Sequence, residues 1–474
     1  MKNSTIYCLL LFLYLNSSVL AVKIDHSDSL KNNYNLSLEE CLKFAHEFNN
    51  SLTSAEYGLE IAESQLGQAN SAYYPTLDIE VLATIMDEDP IYLMEGFDLD
   101  IPPIIMGQLQ LNIPTIHVPD QTQTLMDNKN LSASVNLLYP LYTGGKISSL
   151  VDQGKLGVEV AKEQIRKTNL QVNYDVSKLY FAAVLTRNLV QIATDALARM
   201  EATLELTESV YKNGSLKVTK IDYLKNKMFV ENLRNILAQV EAKQAVVLAA
   251  LKKEIGLKWD AELDIVEEQI PFSFNPLEKK ILIEEALVSN PDLAMAEHGV
   301  NFLNYKIEEM ESGHYPTVFL FGKFNQIFNS YDYGVVNKQN KTAFLLGLGV
   351  QFPIFRGFLI SNQVEEAEAR YNKMLEDREL YRDGITLKIQ DLFFKITKAR
   401  EQVKATEDAM NTAIENRELN ERAYYADMVG VEDLIEAQIF ESIMSANYNK
   451  TLFDHIEATF ELDYFLGINK HNNN

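Results

Sequence analysis

The sequence predicts an α+β membrane protein. Each subunit supplies four strands to a transmembrane β-barrel, which continues into a long α-helical coiled-coil barrel, and each subunit is internally duplicated. Three observations predict this. Four segments of about ten residues alternate apolar and polar side chains, as strands with one face in lipid do. Two stretches of roughly seventy residues lack proline and repeat apolar residues every seven. The chain also matches itself, motif by motif, in the same order.

Composition narrows the classes first. The 474 residues are 47% hydrophobic, enough for a large core or several interfaces, and carry a formal charge of −24. A field of that sign repels phosphate backbones, so no nucleic-acid partner is expected. Two cysteines, Cys8 and Cys41, make neither a disulfide scaffold nor a cysteine-built zinc site. Only 12 prolines and 20 glycines interrupt the chain, which favours long elements.

Residues 1–21 read as a secretory signal peptide. Lys2 opens it, Ile6 to Leu15 is apolar, and cleavage is expected after the small residue Ala21. Ten apolar residues are too few to span ~30 Å of hydrocarbon. Cleavage removes Cys8 and Lys2 and takes the net charge from −24 to −25. No later stretch is apolar enough for a spanning helix, so any membrane passage must be a closed barrel, which satisfies its own backbone.

Two repeats follow, 22–256 and 277–468, joined by a linker at 257–276 and ended by a tail at 469–474. Ala45 to Thr76 aligns without a gap on Ala286 to Thr317, with 10 of 32 positions identical, at an offset of 241. Tyr139-Pro140-Leu141-Tyr142-Thr143-Gly144 aligns on Phe352-Pro353-Ile354-Phe355-Arg356-Gly357 at 213. Asp222 pairs with Asp433, and Gly256 with Gly467, at 211. The first repeat therefore holds 28 extra residues between Pro75 and Pro140, and two more around Gly214 to Ile221.

Each repeat reads helix, two strands, long helix, helix. The first helix is expected over 38–73, stopped by Pro75 after Tyr74, and its counterpart over 277–312, before Pro316. Strands are expected over 76–86 and 131–142, and over 317–328 and 343–355. In the return strands Leu131, Ala133, Val135 and Leu137 alternate with Ser132, Ser134 and Asn136, and Phe344, Leu346, Leu348 and Val350 with Ala343, Gly347, Gly349 and Gln351. The strand after Pro316 is apolar on both faces around Lys323 and Phe324. Long helices are expected over 144–213 and 357–426. Val158, Ile165, Val172 and Leu179 recur every seven residues in the first, and Ile389, Ile396, Val403 and Met410 in the second. Shorter helices return over 218–255 and 431–466. Helices of roughly 105 Å need partners along their whole length. Four strands leave unpaired edges in lipid, so subunits must associate, and three copies give twelve strands and twelve helical columns.

The signal peptide, the duplication, Tyr-Pro-Thr before each first strand and aromatic-Pro-x-aromatic-x-Gly after each hairpin together resemble the TolC family of bacterial outer-membrane efflux proteins. The likeness spans about Leu36 to Ile468. It implies a homotrimer with a twelve-stranded barrel among outer-membrane lipids and a helical tunnel in the periplasm. The implied partners are a periplasmic adaptor protein and an inner-membrane transporter. The implied role is a passive exit channel for small molecules. Type I protein secretion is the alternative within the class, and a non-transport helical scaffold of the envelope the alternative outside it. An irregular equatorial belt is implied from Lys258 to Pro276 with the two chain ends. Tyr74, Pro75, Pro140, Gly144, Pro316, Pro353 and Gly357 mark the helix–strand junctions.

The same resemblance places functional residues at the periplasmic tips. Tyr424 to Ala437 resembles an aromatic turn followed by two acids three apart, and puts Asp433 and Glu436 in the positions of those acids. At i and i+3 they share a helix face, and threefold symmetry implies six carboxylates around the narrowest aperture. The residues alone admit a second reading, as acids favoured at a helix N-terminus. Tyr211, Gly214 and Asp222 match the first tip. Tyr424 and Asp222 fall at closed-state contacts between neighbouring tips, and Asp427 and Gly430 shape the second turn. Here the sequence departs from the family: Val429 stands where a basic residue is common, and Asp427 where glycine is.

The extra residues fall in the first outer loop. Met86 to Lys129 holds Pro90, Pro102, Pro103, Pro114 and Pro119, with Asp87, Glu88, Asp89, Glu95, Asp98, Asp100, Asp120 and Asp127 against a single Lys129. A variable surface loop is expected there. No enzyme chemistry, cofactor or metal site is expected. None of the seven histidines pairs with another at i, i+4, Gly347-x-Gly349 lies in a strand, and no phosphate-binding loop occurs.

Overall fold

The computed structural model describes residues 33–126, 128–213, 218–274, 276–328 and 341–468. The expected signal peptide, the C-terminal tail and Gly214 lie outside them. In chain order the helices are α1 (Leu38–Phe48), α2 (Asn50–Ser71), α3 (Lys146–Lys212), α4 (Lys220–Glu254), α5 (Lys279–Ser289), α6 (Pro291–Glu311), α7 (Leu359–Tyr425) and α8 (Val431–Phe465). The main sheet holds β2 (Thr76–Ile85), β9 (Lys129–Tyr142), β11 (Thr317–Phe328) and β12 (Thr342–Gln351), while β1 (Asn33–Leu36) pairs in parallel with β10 (Glu262–Ile265). That parallel pair lies in the linker and the chain's start, where only irregular structure was expected.

Helices α3 and α7 run 67 residues each, about 100 Å of rod. Shorter helices stack in pairs beside them. The upper part of α3 packs against α2 on one side and α6 on the other, and its lower part against α4 and α8. Helix α7 packs against α6 above and α8 below. The columns therefore run α2-over-α4, α3, α6-over-α8, α7. The buried seam of α7 contains Ile389, Ile396 and Val403, three of its four predicted heptad residues. Ion pairs tie adjoining columns: Lys167–Asp292 at 2.7 Å, Lys178–Glu457 at 2.5 Å and Lys388–Glu461 at 2.7 Å.

The first helix of each repeat is two helices, not the single one expected over 38–73 and over 277–312. The break falls at Asn49 and at Asn290, which align in the two repeats. Both residues are buried and extended, with ψ of 119° and 125°. The Asn49 Oδ1 accepts from the Ser51 amide at 2.7 Å, capping α2, and its Nδ2 donates to the Glu254 carbonyl at 2.7 Å, at the end of α4. The Asn290 amide repeats both bonds, from Asp292 N at 2.9 Å and to Phe465 O at 3.0 Å. One side chain thus starts the upper helix of a column and holds the end of the lower one. Gly256, at φ +74°, turns the chain away at that point, and a Cβ on it would lie 2.5 Å from the Phe48 carbonyl oxygen.

The equatorial core surrounds this break. Leu36, Cys41, Ala45, Val176, Leu251 and Ile265 belong to one buried cluster. Within it the Tyr180 hydroxyl donates to the Leu36 carbonyl at 3.1 Å, and Arg187 donates to the carbonyls of Ile265 and Glu267. Burial pushes the Cys41 thiol up to about 12, so it behaves as a small apolar side chain.

The sheet order is β12-β11-β9-β2, antiparallel throughout. Its register puts Leu77, Leu137, Gly322 and Leu346 on one face, then Ile79, Val135, Phe324 and Phe344. The other face carries Asp78, Asn136 and Lys323, then Glu80, Ser134 and Asn325. Pro140 cannot donate to the ladder, and the register shifts beside it, between Val318 and Phe319. The apolar residues on the polar face of β11 also have a reason. Phe319 and Phe321 lie over Gly349 and Gly347, where a Cβ would come within 2.5 and 2.7 Å of the rings. β12 stops at Gln351, short of the expected 355, because Pro353 follows.

The expected first outer loop is a hairpin arm. β3 (Ile91–Met94), β4 (Phe97–Leu99) and β5 (Ile104–Met106) pair antiparallel with β8 (Gln121–Thr124), β7 (Ile116–Val118) and β6 (Leu109–Leu111). Its prolines fall between these rungs, where no ladder amide is needed. Gly107, at φ +64°, makes the tip turn.

Removing either asparagine should weaken its column. Asn49→Ala or Asn290→Ala should each cost about 2–4 kcal/mol, the sum of a lost cap and an unsatisfied carbonyl, read as a lower thermal midpoint by circular dichroism in detergent. Asn49→Asp keeps the cap acceptor but turns a buried carboxylate toward the Glu254 carbonyl and carboxylate, and should cost at least as much as alanine.

Candidate functional site

The tips lie where α3 turns into α4 and α7 into α8. The first connection is seven residues, 213–219, and the second five, 426–430, which is where the two extra residues of the first repeat fall. Asp427 takes a left-handed φ of +58°, so it occupies a glycine-type position at the strain cost of a side chain there. The Met428 amide donates to the Ala423 carbonyl at 2.8 Å and closes the turn. Gly430 is the N-cap of α8. On the first tip Tyr211 stacks on Tyr223, with ring centroids 5.9 Å apart and planes 5° apart.

Each predicted acid has a definite place. The Asp222 carboxylate accepts from the Thr219 amide at 2.9 Å and its hydroxyl at 2.8 Å, forming a capping box on α4. Asp433 does the equivalent on α8, accepting from the Gly430 amide at 3.1 Å. Asp433 and Glu436 are both exposed on that helix, and Asp433 serves its N-terminus as the second sequence reading allowed. Glu436 and Asp222 line a cavity of about 300 Å³ between α4 and α8, whose apolar wall includes Met228, Phe229, Ile435 and Phe440. Lys225 spans the two helices to Glu432 at 2.7 Å. Tyr424 packs inward against the cluster of Met200, Val230, Val431 and Ile435. Burial raises its phenol above the ordinary range, and a hydrogen bond with Thr207 partly offsets this.

Above the tip sits a polar interior that periodicity did not reveal. Asn226 donates to the Thr207 hydroxyl at 3.4 Å, and Gln438 to that of Thr203 at 3.2 Å. Glu441, buried on α8, meets Arg199 of α3 at 3.1 Å and Arg417 of α7 at 3.2 Å. Arg417 also reaches Glu421 at 3.0 Å. A single carboxylate therefore joins three columns. The residue types gave no signal, since Arg199, Arg417 and Glu441 are far apart in the chain and each reads as a surface charge on a long helix. The junction residues behave more simply. Gly144 and Gly357 have φ of +65° and +60°, and a Cβ on Gly144 would lie 2.7 Å from that of Tyr315, so the two repeats' junctions touch. Pro75 and Pro316 immediately precede β2 and β11.

Among the described residues no helix is long and apolar enough to cross a membrane. A four-stranded sheet with one apolar face, set on duplicated rods about 100 Å long, defines the architecture of an outer-membrane efflux channel subunit. The family model for outer membrane efflux protein matches residues 42–257 and 282–439, and the chain belongs to that family. It is 20% identical over 327 residues to the outer membrane efflux protein BepC of Brucella suis, covering 65% of this chain and 67% of that protein. It is 21% identical over 342 residues to the outer membrane protein TolC of Vibrio cholerae, covering 71% and 76%. The crystal structure of the outer membrane protein VceC from Vibrio cholerae superposes with a TM-score of 0.70 at 16% identity, over 91% of this chain and 96% of that one.

Glu441 is the residue to remove. Glu441→Ala leaves two guanidinium groups facing each other and should cost about 3 kcal/mol, the low end for a broken buried pair because Arg199 keeps partial contact with water. A denaturant midpoint measures it. Lys225→Ala, at an exposed pair, should leave that midpoint nearly unchanged.

Proposed function

We propose that three copies of this chain form an outer-membrane exit channel that carries small molecules across the periplasm and the outer membrane. The open edges of the protomer carry this reading. Among the described residues β2 and β12 each pair on one side only. On the same two flanks of the shaft, α2-over-α4 and α7 have no neighbouring column among the described residues. On α7 Leu380, Leu387 and Phe394 stand every seven residues at 69%, 71% and 55% exposure, a second heptad seam awaiting a helix. Strand edge and helix seam on each flank call for the opposite flank of another copy, and a head-to-tail contact of that kind closes into a ring. The apolar face of the sheet then meets lipid, and Asp78, Glu80 and Lys323 face the lumen.

In this reading residues 1–21 direct export and are cut after Ala21. An inner-membrane transporter supplies the energy, and a periplasmic adaptor docks on the tips. Asp433 and Glu436 ring the aperture, Asp433 through the carboxylate oxygen its capping bond leaves free. Tyr211, Gly214, Asp222, Tyr424, Asp427 and Gly430 shape the tips that must part.

Cysteines scanned along Thr76–Ile85 and Thr342–Gln351 should trap a trimer in outer-membrane fractions. A monomeric particle in mild detergent would sink the ring. The pore in a planar bilayer should be cation-selective, and a trivalent cation on the periplasmic side should reduce its current. Asp433→Asn with Glu436→Gln should abolish most of that block while assembly persists, and an unchanged block would place the aperture elsewhere.

A further inference from the structure

The hairpin arm between Ile85 and Lys129 is built unlike a solvent loop. Its strands pair with each other and with no other strand of the described residues. Leu99, Ile104, Leu109, Leu111 and Ile116 are all exposed, together with Phe97. The register gathers part of this set. Phe97 faces Val118 and Leu99 faces Ile116 on one side of the ribbon, while Asp98 and His117, 2.6 Å apart, take the other. Exposed apolar surface of this extent marks an interaction site. Charge selects the partner. Residues 87–128 contain eight acids and no lysine or arginine. A second copy of the arm would bring like charge against like charge, and an anionic lipid surface would be repelled in the same way.

We infer that the arm is a docking surface for a cationic polypeptide that carries apolar side chains, reached from outside the cell. The location rests on the channel reading, which puts the far end of the sheet outside. The ribbon's two open edges offer unpaired backbone groups. An extended segment alternating basic and apolar residues matches the β4–β7 rung in period, setting apolar side chains on the Phe97 and Leu99 face and basic ones on the Asp98 face, while Glu88 and Glu95 flank β3 in the connections.

Full-length protein in detergent is titrated with three labelled peptides: alternating Lys-Leu, alternating Glu-Leu, and oligolysine. The Lys-Leu peptide should bind roughly tenfold more tightly than either of the others, and about 1 M salt should weaken it by screening. A variant with residues 87–128 replaced by an Asn-Gly turn should lose this binding. Asp87→Asn with Glu88→Gln and Glu95→Gln keeps the arm and should weaken binding by about tenfold. Equal binding by the trimmed variant, equal binding of the Glu-Leu peptide, or binding driven by charge alone overturns the inference. So does loss of the oligomer on trimming, which would make the arm a contact between copies, or tighter arm-dependent binding to anionic vesicles than to the Lys-Leu peptide. Bilayer conductance separates the two readings. A trimmed variant that conducts keeps the channel whatever the peptide does. A non-conducting parent that binds the peptide through its arm loses the channel and keeps the partner.

Discussion

Two asparagine side chains hold the architecture in place. A continuous helix from Leu38 to Ser71 would run past the end of α4 and leave its last carbonyls without partners. Asn49 breaks that helix, restarts it, and gives its amide to the Glu254 carbonyl, so two short helices become one column. Asn290 does the same for α5, α6 and α8. Because the two composite columns are jointed at this height, the shaft has the same number of columns above and below the equator. The long helices α3 and α7 then need no joint, and their heptad seams stay in register with neighbours along the whole length. The duplication is thus a duplicated hydrogen-bond pattern as well as a duplicated sequence.

Much of this was legible in the sequence because it depends on periodicity. Strand alternation, the seven-residue repeats and the junction prolines placed the four strands of the main sheet and helices α3, α4, α7 and α8 within a few residues. The helix break had a local signal, since Pro291 follows Asn290 as the first residue of α6 and Asn49 aligns with Asn290; what the sequence hid is that both side chains act through helix ends some two hundred residues away in the chain. The arm was missed for a related reason. Its five prolines read as loop punctuation, whereas they fall between the rungs of a ladder that needs no amide at those positions. On β11 the tertiary partner decided the pattern, because Gly347 and Gly349 make room for two rings that alternation alone would have placed elsewhere.

At the tips the sequence singled out Asp222, Asp433 and Glu436 but could not show which of them cap helices. Asp222 and Asp433 satisfy helix amides, Glu432 is tied to Lys225, and Glu436 lies free of such bonds beside an apolar groove. Helix termini recruit carboxylates for local reasons, which is why an acid at a helix start does not by itself mark a lumen. Next to the groove, the buried Glu441 ties α8 to α3 and α7 through Arg199 and Arg417.

The unequal edges of the sheet carry a genetic consequence. In the ring proposed for this chain every subunit uses both β2 and β12, and neither edge can be replaced by the other. A subunit damaged at one edge still joins through its intact side and occupies a place that cannot close. With equal amounts of damaged and sound chain, only about one ring of three in eight is free of damage. Lesions confined to Thr76–Ile85 or Thr342–Gln351 are therefore expected to behave as dominant, and lesions in the arm as recessive.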